Sequence, residues 1–177
     1  MKYKSVLAGA LSCLLITATA PSSANAYGFI GPKWPDSTLD YKWGSNLQTP
    51  GSVIRDGFVS ALQDWNNSPT TISYTYRETS KNTLNSYYVV DSNHYGNTAY
   101  TVSDTEVTIL DFTCYINSGN PNITKANVTR SVGNHELGHS FGLDHFETGT
   151  RVMNSKRDRT QIYVPQQDDI NGANALY

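Results

Sequence analysis

Cysteine is nearly absent from this chain of 177 residues, which contains only two. One of them, Cys13, lies in an N-terminal segment that has the features of a signal peptide. The rest of the chain therefore carries Cys114 alone, which excludes an internal disulfide and leaves stability to the core and to any bound metal. Cys114 lies in an apolar, strand-like run, and we interpret it as an inert buried thiol.

Basic residues are also few, with 13 Lys and Arg against 15 Asp and Glu and a formal charge of −2. Without the N-terminal segment, which holds two lysines and no acidic residue, the charge falls from −2 to −4. No basic stripe is left to neutralise phosphates or anionic lipid headgroups. We therefore expect no nucleic acid partner and no stable membrane association.

Long apolar runs are missing except near the start of the chain. Lys2 and Lys4 precede an apolar stretch at residues 6–20, and small residues follow at 24–26. The stretch contains threonines and is short for a membrane span. We predict a signal peptide at residues 1–26, a secreted protein, and one domain over residues 27–177.

Glycine and proline are too few for a low-complexity chain, and the hydrophobic periodicity predicts regular elements. An apolar stripe starting at Ile54 predicts a helix that begins at Thr49 and Pro50, and Asn127 is the predicted cap of a second helix. Strands are predicted at residues 39–43, 72–76, 87–90, 97–102 and 107–116, and a loop and a last helix follow the second helix. This order predicts an α+β domain with a twisted mixed sheet, two main helices and a C-terminal helix.

The segment HELGHSFGLDH, which begins at His135, contains the candidate metal-binding and catalytic residues. His135 and His139 are one helical turn apart, so both imidazoles can reach one metal ion. Glu136 can reach a water bound to that metal. Gly142 can take the left-handed conformation that ends a helix, and the chain can then bring His145 back as a third ligand. Three protein ligands and an open fourth position are typical of catalytic zinc.

This pattern, HExxHxxGxxH, resembles the signature of the metzincins. Met153 lies eight residues after the last histidine, where metzincins have a Met-turn beneath the metal. The segments GPKWPDSTLDYKW and PQQDDINGANALY are similar to the first strand and the C-terminal helix of the matrixin branch. The resemblance implies a zincin-like fold in which strand 97–102 is the exposed edge along the cleft, where an extended peptide substrate can pair.

The function that the resemblance implies is that of a secreted, monomeric zinc metalloendopeptidase acting on protein or peptide substrates. One zinc would be held by His135, His139 and His145, with Glu136 as the general base. An alternative of another class is a non-catalytic secreted module that is stabilised by zinc and binds a partner protein. Glu136 argues against it, because a structural zinc site needs no general base.

Several features depart from the vertebrate-type matrixin pattern. The loop with ligands for a second, structural zinc is missing, and His94 is the only histidine outside the motif. Asp91, Asp104 and Asp111 could contribute to a calcium site, but their spacing is not that of an EF-hand. We therefore predict one zinc, with Ca²⁺ possible but unsupported by a clear motif. Matrixin propeptides carry a cysteine that caps the zinc, and no such segment lies between Tyr27 and Trp34.

Two segments after the histidine motif leave questions open: the residues that follow Met153 and the start of the last helix. After Met153 the chain continues with NSKR in place of the proline and tyrosine usual in the family. The usual preference for a bulky apolar residue after the scissile bond is therefore not implied here. Asp168 and Asp169 open the last helix, where they either cap it or, as the resemblance suggests, anchor a new N-terminus or the base of the site.

Overall fold

The structure, a computed structural model, describes residues 27–177. The predicted signal peptide, residues 1–26, lies outside the described residues. The strands are β1 (Gly28–Phe29), β2 (Thr38–Trp43), β3 (Ser73–Tyr76), β4 (Thr83–Tyr87), β5 (Gly96–Val102), β6 (Ile109–Asn117) and β7 (Leu143–Asp144). The α-helices are α1 (Val53–Asn67), α2 (Ala126–Ser140) and α3 (Gln167–Leu176).

Five strands form a mixed sheet in the order β3-β2-β4-β6-β5. The first three pairings are parallel, and β5 runs antiparallel to β6. The strand β5 has one neighbour only, so its outer edge carries unpaired backbone groups. The two short strands β1 and β7 pair separately. This α+β architecture confirms the predicted fold class and the predicted edge strand.

The helices α1 and α2 pack on each other and on the sheet through a continuous apolar core. The predicted stripe of α1 is buried, with Phe58 and Trp65 fully so. The indole N–H of Trp65 donates to the carbonyl of Asn134 at 3.1 Å, which ties α1 to the middle of α2. The helix that carries the histidines is thus held from two sides.

Two predicted helix starts are wrong. Helix α1 begins at Val53, because Ser52 is extended and its hydroxyl accepts from the backbone N–H of Arg55 at 3.1 Å. Thr49 and Pro50 lie before this cap. Helix α2 begins at Ala126, so Asn127 is already helical and cannot be its cap.

One predicted strand is shifted. Strand β4 ends at Tyr87, whereas the apolar pattern predicted a strand over residues 87–90. The side-chain amide of Asn117 takes the place of a strand partner, because it donates to Val89 O at 2.8 Å and accepts from Val89 N at 2.9 Å. Across residues 27–177, no helix is long and apolar enough to cross a membrane.

Candidate active site

The histidine cluster is built by the end of α2 and the turn that follows it. His135 and His139 lie on one face of the helix, which ends at Ser140. Gly142 has φ +120°, a conformation that L side chains rarely adopt, and the chain reverses there. His145 then lies with its Nε2 at 3.0 Å from Nε2 of His135 and 3.2 Å from Nε2 of His139.

The outer nitrogens of the two helical histidines have backbone partners. Nδ1 of His135 lies 2.8 Å from Val152 O, and Nδ1 of His139 lies 2.8 Å from Leu143 O. A carbonyl can only accept, so both Nδ1 atoms carry the proton and both Nε2 atoms offer a lone pair. These lone pairs converge on one point, an arrangement that a cation stabilises. Zinc–nitrogen bonds of about 2.0–2.1 Å in tetrahedral geometry separate the nitrogens by about 3.3 Å, so the donor set fits zinc.

A guanidinium lies close to one of these nitrogens without changing this assignment. Nη1 of Arg157 is 3.2 Å from Nδ1 of His135, but it donates to Asn154 O at 3.0 Å. The Val152 carbonyl is nearer to Nδ1, and it is the only one of the two neighbours that can accept. Nδ1 therefore keeps its proton, and Nε2 stays available to a metal.

Burial keeps the helical histidines neutral. It lowers the pKa of His135 well below its ordinary value, and the charge of Arg157 lowers it further. Burial likewise lowers the pKa of His139 to about 4. Because only the neutral imidazole binds a metal, the fold holds these two ligands ready at neutral pH.

Glu136 is buried in the wall of the same cavity, with 4% of its surface exposed. Burial raises the pKa of Glu136 to about 7, against the hydrogen bond from Thr98 and the charges of Arg157 and Arg159. The Thr98 hydroxyl donates to Oε2 at 2.8 Å and fixes the carboxyl group. A divalent cation among the histidines would favour the carboxylate form and lower this pKa.

Met153 is buried beneath α2, with 2% exposed. Its sulfur packs against Gly138, between the two helical histidines in sequence, where any side chain would overlap it. The backbone N–H groups of Val152 and Met153 donate to the carboxylate of Asp169 at 2.7 and 3.1 Å. Val152, whose backbone N–H donates to Asp169, also supplies the carbonyl that lies 2.8 Å from Nδ1 of His135.

Asp169 combines two roles that the sequence left as alternatives. Its carboxylate accepts from the backbone N–H of Gln166 at 2.8 Å, which caps α3, and it also holds the turn at the base of the site. Its neighbour Asp168 instead forms an ion pair with Arg151 at 2.7 Å.

The remaining predicted candidates do not join the cluster. Within residues 27–177, the three motif histidines form the one group of three or more His, Cys, Asp or Glu side chains whose ligand atoms all lie within 4.8 Å. His94 is exposed at the mouth of the cavity. Asp111 accepts a hydrogen bond from the Thr101 hydroxyl at 2.7 Å. Cys114 is fully buried behind α2, donates to Glu136 O at 3.3 Å, and burial raises its pKa, in agreement with an inert thiol.

A cavity of about 450 Å³ opens between the edge strand β5 and this cluster. Among the lining residues that the sequence reasoning did not single out are Thr98, Arg157 and Arg159. The two arginines follow the point where the chain departs from the family pattern after Met153. That departure was visible, but nothing in it showed that the arginines turn inward. Thr98 carried no signal beyond its place on the edge strand.

The comparisons with known proteins agree with this geometry. None of the curated proteins matches this chain. The model of the matrixin family matches residues 89–177, which is half of the chain and includes the edge strand, the histidine helix, Met153 and α3. Matrixins are zinc-dependent metallopeptidases, and the three convergent histidines suit that metal. The chain belongs to the matrixin family.

Proposed function

We propose that the protein is a secreted zinc endopeptidase in which Glu136 is the general base. The observation that carries the proposal is the position of the Glu136 carboxyl group, which Thr98 holds in the wall of the cavity where three histidine nitrogens converge. A general base must lie within reach of the proton that it takes, and a cation held by the histidines would keep this carboxyl group ionised. A zinc ion bound by His135, His139 and His145 would supply an acidified water and polarise the scissile carbonyl.

The protein's own groups account for the remaining steps. The unpaired outer edge of β5 binds the backbone of an extended peptide and sets its scissile bond beside the cluster. Glu136 accepts the proton of the attacking water and gives it to the leaving amine. Thr98 holds Oε2 in place, so the carboxyl group needs no reorientation. Burial of Glu136 shields its carboxyl group from bulk water, which strengthens the hydrogen bond from Thr98.

Secretion is supported by the predicted signal peptide at residues 1–26 and by the usual location of matrixins. A secreted enzyme without an internal disulfide depends on its core and on the metal for stability. Zinc would therefore serve both the fold and the chemistry, with one ion per chain.

The test compares Glu136→Ala with His139→Ala in the purified protein. Glu136 does not belong to the histidine cluster, so its substitution should leave zinc content and melting temperature near wild-type values. Cleavage of an unstructured protein such as casein should nevertheless fall by about two to four orders of magnitude. His139→Ala should lose zinc, stability and cleavage together, because metal binding and folding are coupled.

Two outcomes would refute the proposal. If the zinc-loaded wild type cuts no protein or peptide, the metal is structural and the non-catalytic binding module is the better description. If Glu136→Ala cleaves as fast as the wild type, another group is the base.

A further inference from the structure

The cavity beside the histidines has a strongly basic wall. Arg157 and Arg159, both from the loop after Met153, line it. None of the ion pairs formed within residues 27–177 includes either arginine. The acidic residues that line the cavity are Glu136, which is bonded to Thr98, and Asp144, which is exposed and accepts from His145 N at 2.7 Å.

The first guanidinium, that of Arg157, is fixed and nearly saturated. It donates to the hydroxyl and carbonyl of Ser131 at 2.9 Å each and to Asn154 O at 3.0 Å. Burial lowers its pKa to about 9, so it is still charged at neutral pH. Arg157 therefore supplies a stationary positive field but few free donors.

The second guanidinium, that of Arg159, is held in place with donors to spare. It stacks on the ring of Tyr95, 3.9 Å from the ring centroid, and one Nη donates to Ser155 O at 3.0 Å. Its Nε is buried and has no hydrogen-bond partner. A planar guanidinium that is already oriented suits a carboxylate, which it can bind with two parallel hydrogen bonds.

We propose, building on the peptidase function above, that this cavity binds the side chain of an aspartate or glutamate directly after the scissile bond. The carboxylate would bind Arg159 in the field of Arg157, and its methylene groups would pack on Val132 and Tyr95, which also line the cavity. An apolar side chain would cover Arg159 without replacing its lost water, and a basic one would be repelled.

The position relative to the scissile bond follows from strand direction. Arg159 stacks on Tyr95, the residue directly before the first residue of β5, Gly96. A peptide that pairs antiparallel to β5 has its C-terminal part at the start of this strand. The residue that enters the cavity is then the one on the C-terminal side of the bond that is cut.

The test starts from an unbiased peptide library, whose cleavage products are sequenced to find a cleaved peptide. Two matched versions of that peptide are then made, which differ only by Glu or Gln directly after the cleaved bond. The zinc-loaded wild type should cleave the Glu peptide with a kcat/KM about 10- to 100-fold higher, the range expected for charge-assisted hydrogen bonds. Arg159→Gln should reduce this ratio to near 1, and Arg159→Lys should keep part of it.

Lys156→Gln is the matched control. It removes the same charge from the same loop, but the Lys156 side chain is 78% exposed, pairs with Glu147 and does not line the cavity. Its Glu-to-Gln ratio should equal that of the wild type. An equal fall in both variants would show a general charge effect and overturn the proposal, as would a library preference for apolar residues or for acidic residues before the bond.

A binding measurement separates this proposal from the peptidase function. In zinc-loaded Glu136→Ala, fluorescence anisotropy should show tighter binding of the Glu peptide than of the Gln peptide, and Arg159→Gln in the same background should remove the difference. If no library peptide is cleaved, the matched Glu and Gln peptides are taken from those that bind the protein; a preference for Glu that Arg159→Gln removes would then mean that the peptidase function fails and the acidic subsite stands. If peptides are cleaved without preference and bind equally, the subsite fails alone.

Discussion

Asp169 offers the sharpest test of how the fold supports the metal site. Its carboxylate accepts three backbone N–H groups, those of Val152, Met153 and Gln166, at 2.7 to 3.1 Å. We consider Asp169→Asn, which keeps the size of the side chain but replaces one acceptor oxygen by a donor. The amide oxygen can serve only one side of the group, so at least one buried N–H must face another N–H.

The expected cost can be worked out from these contacts. A hydrogen bond to a charged group contributes about 1.5–3 kcal/mol, and the remaining bonds lose the assistance of the charge. We therefore expect a loss of roughly 2–4 kcal/mol in the free energy of unfolding, a large share of the total for a single domain. The melting temperature should fall by about 5–15 °C for a domain of this size.

The same substitution should weaken zinc binding, although Asp169 touches no histidine. The Val152 carbonyl that orients His135 belongs to the turn that Asp169 holds. Loss of a partner that orients a ligand typically lowers metal affinity by about 10- to 100-fold. Competition with a chelator of known affinity measures this loss at a temperature where the variant is folded.

Asp168→Asn is the matched control, because it makes the same chemical change one residue earlier. Asp168 is 36% exposed and bonds Arg151, a pair for which an amide oxygen is still an acceptor. Arg151 is buried, but the amide oxygen can keep its hydrogen bond, so the loss of stability should be clearly smaller than for Asp169→Asn and zinc affinity should stay close to that of the wild type. The reasoning is refuted if the Asp169→Asn protein melts and binds zinc as the Asp168→Asn protein does.

Two further predictions concern Met153 and pH. Met153→Leu should melt within a few degrees of the wild type because the side-chain volume is nearly kept. Met153→Asp should destabilise the protein strongly because it buries an unpaired charge. Equal melting temperatures of the two variants would place the side chain of residue 153 outside the core. In zinc-free protein, the unfolded chain takes up protons at the histidines below their ordinary pKa of 6.5, while folded His139 resists protonation until about 4. His139 therefore lowers the free energy of unfolding as the pH drops from 6.5 towards 4, whereas Glu136, with its raised pKa, acts in the opposite direction in both proteins. The free energy of unfolding of His139→Gln should thus fall less, or rise more, over this range than that of the wild type. Urea titrations at several pH values that give both proteins identical slopes would contradict this reasoning.

Features of the chain that depend on local spacing could be predicted from the sequence. The motif places His135 and His139 on one helical face, and Gly142 provides the reversal that brings His145 back. The apolar pattern predicted the strands of the sheet to within a few residues, most closely for β2 and β3, whose inward-facing Leu39 and Tyr74 are buried. Both results follow from periods fixed by backbone geometry.

Features that depend on distant side chains could not be predicted in the same way. The shift of β4 arises because Asn117, 28 residues later than Val89, replaces its strand partner. The start of α2 at Ala126 reflects the extended Lys125 before it rather than the better capping residue, Asn127. Nor could spacing tell that Thr98 would hold Glu136 across the cavity. Such contacts are set by packing, which local propensity does not encode.

The position of Arg157 argues that the loop after Met153 was shaped by what enters the cavity rather than by stability. A buried guanidinium loses its hydration, and similar buried charges can often be replaced by apolar residues without loss of stability. Here the fold surrounds Arg157 with Ser131 and Asn154 as acceptors but with no carboxylate partner among residues 27–177. Glu136 and Asp169 act on Arg157 through charge alone, without an ion-pair contact. A charge without such a contact contributes little net stability, whereas its field extends into the cavity, where it would stabilise both Glu136 and a substrate carboxylate. The basic wall is therefore better explained by recognition than by folding.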